Sequence, residues 1–133
     1  MTYKLYNNLT IRRALISVLR TANATVDGDV IDRGTNNAGV TFAILTGLVT
    51  DGTWTFSIRE SDDNSTYTNA SVTVSEMGTP PVIISTSDDL LTEFGYQGSK
   101  RYVQLRVVST GSTTGALIGA VAILDGGRKP VVK

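Results

Sequence analysis

Residues 59–69, RESDDNSTYTN, place two adjacent carboxylates, Asp62 and Asp63, in a run of hydroxyl and amide side chains. Such oxygen-rich stretches can hold calcium, and paired carboxylates can perform acid/base catalysis. The spacing favours neither. An EF-hand-type loop needs ligands at alternating positions, a glycine and a distal bidentate glutamate. Neighbouring residues on a strand point to opposite faces and cannot jointly flank one bond, which also discounts Asp88 and Asp89. Asp, Asn and Ser do hydrogen-bond nearby backbone and tolerate turn conformations. The segment follows an alternating run at 54–58 and precedes another at Tyr67, Ala70, Val72 and Val74, so it is predicted to be a hairpin loop.

Other chemistry is scarce. The chain has no histidine and no cysteine, which removes the commonest general base, the commonest metal ligand, and thiolate and disulfide chemistry. Residues 95–101, GYQGSKR, lack the glycine spacing and the following helix of a phosphate-binding loop. Tyr96, Lys100, Arg101 and Tyr102 form a basic-aromatic cluster. In a chain with 12 basic and 12 acidic residues, that cluster reads as a contact between subunits rather than a nucleic-acid site. No catalytic, cofactor-binding or metal-ligating residue is expected, and no enzyme activity. No nucleic-acid, membrane or small-molecule partner is expected either.

The charges are unevenly placed. Lys4, Arg12, Arg13, Arg128, Lys129 and Lys133 lie towards the two ends, with no acidic residue before Asp27 or after Asp125. These basic ends are candidate contacts to an acidic partner surface. No apolar run approaches the roughly 20 residues of a membrane span, and the first residues lack a signal-peptide core. Four N-x-S/T sequons, at Asn8, Asn23, Asn64 and Asn69, carry little meaning in a chain rich in Asn, Ser and Thr.

The elements that must position these residues read as strands. Thirteen glycines with abundant Thr and Val favour short strands joined by turns. Val40, Phe42 and Ile44 fall on one side of their run, and Trp54, Phe56 and Ile58 alternate with Thr53, Thr55, Ser57 and Arg59, which marks strands with one buried face and puts Trp54 in the core. Asp51-Gly52 between them is the strongest short hairpin signal. Val103, Leu105 and Val107 repeat the pattern. Residues 110–115 form a flexible connection into 116–124, ALIGAVAIL, an apolar run suited to a strand buried on both faces or one whose outer face meets another subunit. Gly119 inside it would allow a bulge or a close backbone approach.

Residues 11–20, IRRALISVLR, have apolar side chains at 11, 14, 15, 18 and 19, a helical spacing that a strand could also carry. Pro80-Pro81 should start an edge strand at 82–85 or mark a loop. Residues 88–93, DDLLTE, are read as one helical turn capped by Asp88. The expected fold is all-β, a single antiparallel β-sandwich or jelly-roll-like barrel. Residues 1–20 would be an N-terminal arm, helix or first element, and 21–133 the sandwich with its basic tail. A chain of 133 residues buries roughly two thirds of its unfolded surface, enough for one core.

Several strings occur together: DRG at 32–34, VTDGTWTF at 49–56, ESDDNSTY at 60–67, GYQGSKRYV at 95–103, TTGA at 113–116 and GGRKP at 126–130. In this combination the chain resembles small structural proteins of tailed bacteriophages, of the head decoration, or cement, type. The group's usual ending has a His between the last Gly and the Arg, which Gly127-Arg128 lacks.

The resemblance implies a β-sandwich subunit on the outside of the virion head, made in the host cytoplasm. It would be trimeric, bound to the major capsid protein and bridging capsomers to stabilise the shell. The subunit interface is then expected at Tyr96, Arg101, Tyr102, Leu117 and Ile118. Alternatives are a tail-tube, neck or head-completion component, and more remotely a carbohydrate-binding module or a trimeric β-barrel nucleotide hydrolase.

Overall fold

A computed structural model describes residues 4–35, 37–71 and 76–125. It is nearly all antiparallel β, arranged as two sheets around one core. A short helix α1 (Lys4–Asn8) leads into β1 (Leu9–Arg20), followed by β2 (Thr25–Asp27), β3 (Ile31–Asp32), β4 (Val40–Val49) and β5 (Thr53–Ser61). Then come β6 (Thr68–Asn69), β7 (Glu76–Met77), β8 (Val82–Ile83), β9 (Leu91–Tyr96), β10 (Tyr102–Thr110) and β11 (Ala116–Asp125). One sheet has the order β1-β11-β4-β9-β7; the other runs β2-β10-β5-β6, with β3 also on β10 and β8 also on β5. The predicted β-sandwich is therefore present.

Period-two alternation builds the core. Phe42 and Ile44 of β4 and Ala116, Ile118 and Ala122 of β11 face inward from the first sheet. Trp54, Phe56 and Ile58 of β5 and Val103, Leu105 and Val107 of β10 face inward from the second. All are essentially without solvent contact, so Trp54 is a core residue.

Several local expectations change in the tertiary context. Residues 11–20 belong to the 12-residue strand β1, paired along β11, and are part of the sheet rather than a detached arm. The register slips between Arg13 and Leu15 and again between Leu15 and Val18. Each bulge adds residues to one side of the ladder, so a strand acquires the uneven apolar spacing that mimics a helix.

Asp51-Gly52 does turn, with Gly52 at φ 93°, but it is not a hairpin. β4 pairs with β11 and β9, whereas β5 pairs with β10, β6 and β8, so the turn carries the chain from one sheet to the other. Turn chemistry dictates the reversal and not the layer; in the second sheet Trp54 and Phe56 are buried in the core that they share with Phe42. Residues 91–93 of the predicted helical turn are in β9. Asp88 instead accepts a hydrogen bond from the Val49 amide at 2.7 Å. β8 forms the edge strand after Pro80-Pro81.

β11 is central but not buried on both sides: Leu117 and Val121 are exposed on its outer face. Gly119 permits close contact as expected, since a Cβ there would stand 2.7 Å from that of Ser17 on the bulged β1. Val72 and Val74 lie outside the described residues.

Candidate interaction surface

Residues 62–67 close the β5–β6 hairpin, whose register pairs Glu60 with Thr68. The Asp63 carboxylate accepts hydrogen bonds from the Thr66 amide at 2.8 Å, the Ser65 amide at 2.9 Å and the Ser61 hydroxyl at 2.8 Å. These donors, the Thr66 amide first, pull its pKa down to about 2. Asn64 takes a left-handed φ of 57° and accepts from the Tyr67 hydroxyl. Asp62 pairs with Lys100. Of the carboxylates that most resembled a chemical site, Asp63 thus organises its own loop and Asp62 ties that loop to the one between β9 and β10.

A second carboxylate does similar work that the sequence reading missed. Asp51 accepts from the Thr113 hydroxyl at 2.6 Å and from the amides of Thr113, Thr114 and Gly115 at 3.1, 2.9 and 2.7 Å. Its pKa falls well below the usual carboxylate range, chiefly through the Thr113 hydroxyl. The connection 110–115 is therefore pinned. The signal lay in the pairing of an Asp at one turn with a Thr/Gly run 62 residues away, which no local window contains.

The basic-aromatic cluster is mostly internal bracing. Tyr96 is buried, its hydroxyl donates to Glu60 at 2.6 Å and accepts from the Lys100 amide at 3.2 Å, and burial raises its pKa. The Arg33 guanidinium lies over its ring at 4.7 Å. Arg33, itself only 6% exposed, donates to the carbonyls of Asn37, Ala38, Gly98 and Lys100 at 2.9, 2.7, 2.9 and 2.5 Å. It thereby ties the β3–β4 loop to the β9–β10 loop.

Of the five expected interface residues, Tyr96 and Ile118 are interior side chains and not surface ones. Period two explains Ile118, which faces inward where Leu117 faces out. Arg101 forms a bidentate pair with Asp32 at 2.8 and 3.0 Å and sits over the Tyr102 ring at 5.1 Å. Tyr102 and Leu117 belong to different sheets, so the set does not converge.

Of the expected basic contacts, Arg12 and Arg13 are exposed on the edge strand β1; Arg13 Nε donates to Asp29 at 2.6 Å. Lys4 lies in α1, and Arg128, Lys129 and Lys133 lie outside the described residues.

The surface with the most distinct chemistry is the outer face of the first sheet. The cross-strand register aligns Arg13, Val121, Ala43 and Glu93 in one row and Gly119, Leu45 and Leu91 in the next, with Ser17 packed over Gly119. Ile11, Leu19 and Leu117 extend the apolar surface along β1 and β11. Leu45 and Leu91 are 59% and 66% exposed. Together with Leu117, Val121 and the small Ser17, Ala43, Gly47 and Gly119 they line a depression of about 460 Å³. Contiguous exposed apolar side chains of this kind make the face a candidate for binding.

No protein-family model matches the chain, and no curated protein is significantly similar to it. Among solved structures, the crystal structure of the PBSX exported protein XepA has a similar fold, with a TM-score of 0.60 and 18% sequence identity. The match covers 93% of this chain and 39% of that one, so this chain spans well under half of that protein's length. The likeness is one of fold, the β-sandwich described above.

Proposed function

We propose that the chain is a bacteriophage structural protein of the head decoration, or cement, type, bound to the outer surface of the capsid shell. The observation that carries this reading is the apolar outer face of the first sheet, which equips the domain to act by surface complementarity. The strings quoted above and the sandwich fold are consistent with it.

The proposed mechanism is mass action. Each bound copy bridges neighbouring capsid subunits, and because it binds the assembled shell and not the dissociated subunits, its binding free energy adds to shell stability. The exposed Arg12, with the basic residues of the two ends, would supply contacts to acidic capsid patches.

The test is co-sedimentation of the purified protein with capsids that lack it, followed by heating of the decorated and bare shells. Pelleting with the shells and a higher temperature of shell rupture are expected. A protein that stays in the supernatant overturns the reading, and rings or tubes formed in its place assign it to the tail or neck.

A further inference from the structure

The outer face of the first sheet is complementary to itself. Its midline runs between the central strands β11 and β4. In one cross-strand row the cation Arg13 stands on the β1 side and the carboxylate Glu93 on the β9 side, with Val121 and Ala43 between them. In the adjacent row the small Ser17 and Gly119 occupy the β1–β11 side and the large Leu45 and Leu91 the β4–β9 side. Both rows are therefore antisymmetric about the same line, one in charge and the other in volume.

A two-fold axis parallel to the strands and lying above that midline exchanges the two sides. It sets Leu45 and Leu91 of one copy over the small Gly119 and Ser17 of the other, and Arg13 of each over Glu93 of the other. This is the self-complementarity of an isologous interface. Among the described residues Glu93 has no ion-pair partner. Arg13 is held by Asp29 only through Nε, which leaves its terminal nitrogens for the second copy.

From this arrangement we infer that two copies of the chain pair face to face through the outer surfaces of their β1-β11-β4-β9 sheets. The pair is a closed two-fold unit, unlike the trimer that the phage resemblance implies. It rests on the reading of this face as an assembly surface and does not require that the larger structure be a head shell.

The test is the solution mass of the full chain by light scattering across a concentration series. Twice the 14.2 kDa chain mass is expected. Leu45→Asp places a carboxylate in the apolar contact and should weaken association by about 100-fold, the scale of a central hot spot. Because Leu45 is exposed, circular dichroism of the variant should be unchanged.

Arg13→Glu and Glu93→Arg should each weaken pairing, since each sets like charges face to face twice in a pair. Mixed in equal amounts they should restore it, because in the mixed pair both facing contacts join opposite charges. A wild-type monomer at every concentration overturns the inference, as does a dimer that survives Leu45→Asp or single variants that fail to rescue each other. Capsid co-sedimentation is read separately, so failure to bind shells leaves this result standing.

Discussion

On the outer face of the second sheet, Arg106 is matched by Asp27 at 2.6 and 3.0 Å, Arg101 by Asp32, and Arg59 by Asn69 and the Tyr67 carbonyl. Thr53, Thr55 and Ser57 fill the positions between. On the outer face of the first sheet, Val121, Ala43, Leu45, Leu91 and Leu117 occupy equivalent outward positions, with Arg13 and Glu93 at the two sides of the Val121 row. Both faces obey the same alternation and enclose the same core. The difference teaches that folding requires only the inward halves of these strands; the outward half of β4 and β11 is apolar for another reason, which we assign to association.

The largest expected effect separates the inner from the outer half of a single strand. Phe42→Ala should cost about 3–5 kcal/mol of stability, the loss typical of a buried aromatic. Leu45→Ala, three residues on, should change the unfolding free energy of dilute protein by no more than about 0.5 kcal/mol. Chemical denaturation measures both, and an equally large loss at Leu45 would place that residue's role in the fold rather than in association.

Next is Arg33→Met, which leaves the four carbonyls of the loop tie without their donor and should cost about 3 kcal/mol. It touches neither outer face. Solution mass at a temperature where the variant is folded should therefore match the wild type, and altered association would break the separation between core and surface.

The polar face offers smaller effects. Asp27→Asn should cost at most about 1 kcal/mol, because the Arg106 pair is part exposed and screened by solvent; measured against salt, the difference should shrink as ionic strength rises.

Acid sharpens the contrast, since the carboxylates of the two turns need their charge whereas the apolar side chains of the outer face do not. Asp51 and Asp63 have folded-state pKa values below the unfolded value of about 4. Their contributions are thus fully present above that pH and are lost as pH falls towards about 2, when the carboxylates protonate and release their donors. The melting temperature should decline over that window, and Asp51→Asn should flatten the decline.

The strands β5 and β10 were legible from residue order because one buried face and one polar face leave a period-two record, and β4 was legible from Val40, Phe42 and Ile44. The hairpin at 62–67 was legible because Asp63 and Asn64 act on backbone within a few residues. β1 was not, because its bulges shift the apolar spacing towards a helix. The layer reached after Asp51-Gly52 was not either, since a turn residue responds only to its neighbours. The basic-aromatic cluster was misplaced because Tyr96 takes its burial from Arg33 and Glu60, residues 63 and 36 positions away.

The sequence by itself determined an all-β domain, the inward positions of its strongest strands and the absence of histidine and cysteine, because alternation and composition act locally. Only the tertiary structure decided which strands neighbour one another, and hence that Arg13, Ser17, Ala43, Leu45, Leu91, Glu93, Gly119 and Val121 share one surface. Register is a relation between strands far apart in the chain, and it alone puts Arg13 and Glu93 in one row and Gly119, Leu45 and Leu91 in the next.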